Sequence, residues 1–195
     1  TVGLCLDRGP NAIITLLAIL KAGGAVVPLD PNYPHHRLTQ MVQSAKPAVL
    51  VTHSDLKMVL PTFDGTIVFL DTHQTEIAGE STADPDSNSK SDDLAYVMFT
   101  SGTTSIPKGV CITHGNVLRL TVTPDYVHLD PHETVLHFAS LSFDAAIWEI
   151  WGSLLNGASL AVCAPGHQSM EALGRTITSH KVTTLFLTTA MFHQM

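Results

Sequence analysis

Residues 1–29, TVGLCLDRGPNAIITLLAILKAGGAVVPL, decide the fold. Thr1 to Asp7 is an apolar, strand-like run, Ala12 to Ala22 is apolar on nearly every helical face, and Ala25 to Leu29 is a second short strand. Asn11 stands where a helix N-cap belongs, and Gly23 with Gly24 supplies the left-handed backbone that ends a helix. A helix this apolar has to be buried, so strand, helix and strand form one βαβ unit.

The same alternation continues outward. A Pro-rich turn at Asp30 to Pro34 is followed by Leu38, Met41, Val42 and Ala45 at helical spacing, and Pro47 stops that helix. Ala48–Thr52 and Thr66–Leu70 read as buried strands with a short helix between them. Further on, strands are expected at 94–100, 109–113, Thr134–Ala139, Ser159–Cys163 and Thr183–Leu187. Helices are expected from Asn116 to Leu120 or beyond, over Ala145–Leu155 and over Met170–His180. Strands alternating with helices imply an α/β fold with a mainly parallel sheet.

Composition bounds the function classes. At 195 residues the chain has material for one domain, or one with the edge of a second. Only 14% of residues are charged, against about a quarter in an average protein, so much of the chain is buried or covered. It opens at Thr1 and stops at Met195 inside an apolar pattern, which predicts a piece of a longer protein. The apolar run Ala12–Leu20 is too short to span a bilayer and has no basic leader before it, so a non-membrane, cytoplasmic protein is expected. Of the net charge of −7, most lies in residues 72–93, a Ser-, Thr-, Asp- and Gly-rich stretch without hydrophobic periodicity that reads as an exposed acidic loop. The ten basic residues are scattered singly, leaving no stripe for nucleic acid. Three cysteines (Cys5, Cys111, Cys163) without a CxxC pair fit a reducing compartment.

The chemistry concentrates at 94–109, LAYVMFTSGTTSIPKG. The strand ends at Thr100, six of the next eight residues are Ser, Gly, Thr or Pro, and Lys108 follows. Small residues let backbone N–H groups approach an oxyanion, the hydroxyls of Thr100, Ser101, Thr103, Thr104 and Ser105 add donors, and Lys108 adds a mobile charge. This is not a Walker loop: no Gly-Lys-Ser/Thr ending is present, and the residues after Lys108 read as strand. Neutralising a triphosphate there needs Lys108 plus a divalent metal. An ordinary Gly/Thr-rich hairpin connection with a solvated lysine fits the same composition.

Eleven histidines suggest a metal site, but Pro131 between His128 and His132 disfavours a helical ligand pair, and His35 with His36 starts a helix. No metal ligand is assigned.

LKAGGAVVPLDPNYP at 20–34, the 94–109 stretch, and LSFDAA at 141–146 together resemble, in order, three motifs of the amino-acid adenylation domains of nonribosomal peptide synthetases. These are adenylate-forming enzymes, a superfamily that includes acyl-CoA synthetases and luciferases. The resemblance implies layered α/β sheets with flanking helices, part of the large N-terminal subdomain, with residues 1–195 a partial AMP-binding domain that lacks the C-terminal subdomain. It implies two half-reactions: an amino-acid carboxylate attacks the α-phosphate of ATP, and a carrier-protein thiol then takes the acyl group. ATP, Mg2+ and the phosphopantetheine of a carrier domain are the implied cofactors, and peptidyl carrier and condensation domains the implied partners. By the same resemblance Thr100, Ser101, Gly102, Thr103, Thr104 and Lys108 bind the β- and γ-phosphates. Ser105 departs from the family's usual Gly and would be strained if its φ must be positive.

Asp144 matches the family carboxylate that pairs with the substrate's α-ammonium, a charge that is costly to desolvate without such a partner. By residue chemistry alone, an Asp directly before an apolar helix is more often an N-cap, and one residue can do both. Ala145, Trp148 one turn on from Asp144, and Phe186 match pocket-lining positions and suggest an apolar, leucine-like substrate; aromatics at helical spacing are also ordinary core. No catalytic residue is assigned within the fragment, whose catalytic Lys is expected downstream, so the fragment alone is expected to be inactive. The alternatives are an acyl-CoA or aryl-acid ligase of the same superfamily and a catalytically inactive binding fragment.

Overall fold

The computed structural model describes residues 1–100, 107–122, 125–166 and 168–194. The chain divides into two compact units, Thr1–Asp7 with Asn11–His114, and Arg8–Pro10 with Gly115–Met195.

The first unit is built on a six-stranded sheet. Its strands are β1 (Val2–Cys5), β2 (Val26–Pro28), β3 (Val49–Thr52), β4 (Thr66–Phe69), β5 (Leu94–Thr100) and β6 (Lys108–Thr113), in the spatial order β4-β3-β1-β2-β5-β6. Every pair is parallel except β5 with β6, which form an antiparallel hairpin. Helix α1 (Pro10–Lys21) connects β1 to the adjacent β2, and α2 (His35–Ala45) connects β2 to β3 on the other side of β1. The expected parallel α/β sheet is present.

Local chemistry explains the connections. Pro10 occupies the first helical position of α1, where its missing N–H costs nothing, so Asn11 is the second residue of the helix and not the expected N-cap. The helix buries Ala12, Ile13, Thr15, Leu16 and Ile19, while Ile14 stays 62% exposed, so it is less buried than its composition predicts. Gly23 takes φ +76° at its end, and the Gly24 N–H donates to the Ile19 carbonyl at 2.9 Å. On one face of the sheet Cys5, Val27, Leu50, Val97 and Phe99 form a core with Leu38, Met41 and Val42 of α2. Gly3 is buried beside that core, where an added Cβ would lie 3.2 Å from Leu29.

Between β3 and β4 the short helix is a single 3-10 turn, Ser54–Leu56. The acidic stretch 72–93 is exposed almost throughout, but it also contains α3 (Gln74–Gly79), which the absence of periodicity concealed; a helix this short buries no residue and leaves no periodic apolar pattern.

The second unit contains α4 (His114–Thr121, which begins at the unit boundary), β7 (Thr134–His137), α5 (Asp144–Leu154), β8 (Ser159–Val162), α6 (Met170–Ser179) and α7 (Thr189–Phe192). β7 and β8 pair in parallel, with α5 as their crossover. Leu136, Ala161 and Cys163 pack with Leu173 of α6, and Val135, Ala158 and Leu129 pack with Trp148 of α5. The expected strand Thr183–Leu187 is reduced to one isolated bridge, Val135 with Thr184. The amides of Thr183 and Thr184 both donate to the Thr134 carbonyl, at 3.0 and 3.2 Å, and the Thr183 hydroxyl accepts the Thr134 N–H at 2.9 Å. The Leu136 N–H donates to the Thr184 carbonyl at 3.0 Å and completes the bridge, while the Thr134 N–H goes to a side-chain hydroxyl in place of a backbone carbonyl, so the pairing does not extend towards Thr183.

Candidate functional site

Of the expected phosphate loop, Ser101, Gly102, Thr103 and Thr104, together with Ser105, lie outside the described residues. The residues that flank them are ordered by the sheet. Thr100 closes β5 and Lys108 opens β6, and the two are cross-strand partners. Both are exposed, although the preceding residues Ala95–Phe99 are all buried. Cross-strand partners present their side chains on the same face of a ladder, so a hydroxyl and an ammonium stand side by side at the connecting end of the hairpin. Hairpin and phosphate cradle are therefore compatible readings of one element.

Gly109, next to Lys108, has a physical reason to be glycine: a Cβ there would lie 3.0 Å from Val97 and 3.4 Å from the Phe99 ring. The glycine leaves room for the Val97 and Phe99 side chains beside the connecting end of the hairpin.

The second group of expected residues lies on α5. Phe143, extended at φ −113° and ψ 146°, is the N-cap position and makes no side-chain cap bond, so Asp144 is the first helical residue and not the cap. Its Oδ1 accepts the Ala145 N–H at 2.9 Å, using one of the helix's unpaired donors, while the carboxylate stays exposed. A negative charge in the first turn is also favoured by the helix dipole. Ala145 is half-buried and follows Asp144 directly in the first turn of α5. Trp148 is half-buried one turn on, and its ring lies 5.9 Å from that of Phe186, which is 48% exposed. The two rings therefore meet, but Phe186 sits on irregular chain after the isolated bridge, not on a strand. The Trp148 indole N–H is buried and without a partner among the described residues.

Three residues near this site were not singled out from the sequence. Glu149 and His137 are both 0% exposed, and His137 Nδ1–H donates to Glu149 Oε2 at 2.8 Å. The same oxygen accepts the Phe138 and Ala139 N–H groups, each at 3.1 Å. Arg8 lies on the other side of this segment. Its Nε donates to the Cys163 carbonyl at 3.0 Å, its terminal nitrogens donate to the Phe138 and Ala164 carbonyls, and the guanidinium stands 5.3 Å from the Phe138 ring centre. One signal was available: Glu149 is the only charged residue after Asp144 in the helix DAAIWEIWGSL.

Elsewhere, the Cys5 thiol is pushed up to about 12, first by burial and then by the charges of Asp30 and Asp7, so it is no nucleophile. Asp130 is held below the ordinary carboxylate range, chiefly by the His132 backbone N–H at 2.8 Å and also by His128. The pair His128 and His132 thus serves a turn around Asp130, and among the described residues no cluster of His, Cys, Asp and Glu could hold a metal ion. No described helix is long and apolar enough to cross a membrane.

Known proteins place these features in a family. A linear gramicidin synthase of Brevibacillus parabrevis is 45% identical over 194 residues, which is all of this chain but 4% of that protein. Among solved structures, the Klebsiella oxytoca NpsA N-terminal subdomain in complex with anthranilyl-AMSN superposes with a TM-score of 0.87 at 30% identity, covering 99% of this chain and 48% of that one. NpsA-ThdA, an artificially fused adenylation-PCP di-domain from the same organism, gives a TM-score of 0.88 at 29% identity, over 99% of this chain and 38% of that one. FmoA3, a nonribosomal peptide synthetase with α-methyl-L-serine-AMP bound, gives 0.83 at 28% identity, over 93% and 20%. The family described as AMP-binding enzyme matches residues 1–195 throughout, and the chain belongs to that family.

Proposed function

We propose that this chain is part of the N-terminal subdomain of an adenylation domain that activates an amino acid with ATP for nonribosomal peptide synthesis. The observation that carries the reading is Asp144: an exposed carboxylate at the first position of α5, with Trp148 one turn on and the Phe186 ring against it. A carboxylate beside aromatic side chains suits an α-ammonium with an apolar side chain, and a leucine-like substrate is the finer form of the proposal. The α-methyl-L-serine-AMP complex of FmoA3 supports an aminoacyl-adenylate, without bearing on the side chain accepted here.

In the proposed reaction a carboxylate oxygen of the amino acid bonds to the α-phosphorus of ATP, and pyrophosphate leaves. Lys108 and Thr100 fit the departing side, offering a cation and a hydroxyl together on an exposed hairpin end. A divalent cation carried on the phosphates, Mg2+ in this proposal, supplies the remaining charge neutralisation. The phosphopantetheine thiol of a peptidyl carrier domain then attacks the acyl carbon, AMP leaves and a thioester forms, a partner that the adenylation-PCP fusion of NpsA supports, with a condensation domain as the next partner.

ATP–pyrophosphate exchange by the full-length protein, surveyed over amino acids, aryl acids and fatty acids, tests this. Amino-acid-dependent exchange is expected, and Asp144→Ala is expected to abolish the preference for α-amino acids over their deaminated analogues. Exchange with fatty or aryl acids alone would overturn the proposal. An aryl-acid ligase is the second reading, favoured by the anthranilyl ligand of NpsA, and exchange with aryl acids but not with α-amino acids would support it.

A further inference from the structure

The segment Phe138–Phe143 leads from β7 into α5 and delivers Asp144. Because the Asp144 carboxylate is exposed and its bond to Ala145 is local, its position follows the backbone that precedes it. That backbone is gripped on both sides at its first residue. The Phe138 N–H donates to Glu149 at 3.1 Å, and the Phe138 carbonyl accepts from the Arg8 guanidinium. Glu149 also takes the Ala139 N–H and the His137 imidazole, so a fully buried carboxylate has three donors on it. Charge-assisted bonds of this kind are roughly twice as strong as neutral ones, and a buried carboxylate without them is strongly destabilising.

Packing alone does not require an acid here. The neighbouring helix residues Ile147 and Ile150 are buried apolar, and a leucine at 149 would suit them while leaving two backbone amides without acceptors. What the acid adds is a fixed register between the end of β7 and the start of α5.

We propose that Glu149, with Arg8 opposite it, is a positioning residue that sets where Asp144 meets the substrate ammonium. This rests on the adenylation reading given above. The test is Glu149→Gln in the full-length protein, which keeps the side chain's shape but replaces one acceptor oxygen with a donor. The KM for the amino acid is expected to rise about tenfold or more, the size of one lost charge-assisted bond, with the KM for ATP within about twofold. Amide hydrogen exchange should quicken over residues 138–145 and stay unchanged in β1 and β3. A parallel rise in both KM values, or no rise in either, would overturn the proposal. Should Glu149→Gln fail to fold, Arg8→Lys, which keeps the charge but loses the fork, is expected to show the same split at smaller size, and equal effects on both substrates would count against it. A wild-type protein without amino-acid-dependent exchange would defeat the adenylation reading. The clamp would then be judged by amide exchange, where unchanged rates over 138–145 in the variant overturn it.

Discussion

Lys108 and Thr100 share one backbone register, which sets a cation and a hydroxyl side by side at the exposed connecting end of the β5–β6 hairpin. Lys108→Ala should therefore weaken nucleotide and pyrophosphate binding by about 1.5–3 kcal/mol, the worth of a charge-assisted bond, and leave amino-acid binding unchanged. Separate titrations of ATP and amino acid check this, and an equal loss of both affinities would remove Lys108 from the phosphate side. A second residue-scale contrast concerns the thiols. Cys111 is exposed on β6, whereas Cys5 and Cys163 are buried and Cys5 is raised to about 12. A disulfide reagent is therefore expected to label one thiol rapidly, and Cys111→Ser to abolish that phase. Two rapid thiols would show that Cys5 or Cys163 opens. Asp144 itself shows how far residue chemistry reaches: its place at the helix start was legible, but the cap position went to Phe143, because cap and first turn differ only by backbone angles one residue apart.

At the scale of elements, the opening βαβ unit depends on a turn that only a glycine makes without strain. Gly23 holds φ +76°, and its absent Cβ would meet nothing closer than the Ser89 hydroxyl at 3.9 Å. Gly23→Ala therefore isolates the backbone term, with an expected loss of about 1–2 kcal/mol in denaturant unfolding and no change in slope. A cost near zero would mean the turn relaxes to another conformation. The hairpin, α2, α5 and α6 were all readable in the sequence, since each carries its own apolar period or its own Gly and Pro signals. Thr183–Leu187 was not, because whether a short apolar run becomes a strand is settled by the partners next to it, and here the Thr134 N–H goes to the Thr183 hydroxyl in place of a backbone carbonyl.

Over the whole molecule, most of the negative charge sits in one exposed stretch, and residues 80–93 carry no helix or strand. Lys90 is exposed within it, so trypsin is expected to cut there before any other site, and mass analysis of the first fragments checks the position. An initial cut at Lys21 or Lys46 would mean that the sheet opens before the loop is cleaved. The anchoring of that stretch by the exposed Lys21–Asp84 pair is too weak to prevent this, since water and salt screen a pair this exposed.

The alternation of strand and helix, the glycine turn, the hairpin around 94–113 and the Asp144, Trp148 grouping were in the sequence by itself, because each rests on backbone preferences or on spacing within a few residues. Only the tertiary structure decided that Glu149 and His137 are buried together, that Arg8 bonds Cys163 across 155 positions, and that the Trp148 ring meets Phe186. Such pairs are chosen by packing between segments far apart in the chain, and a local pattern contains no record of which distant donor will meet which acceptor.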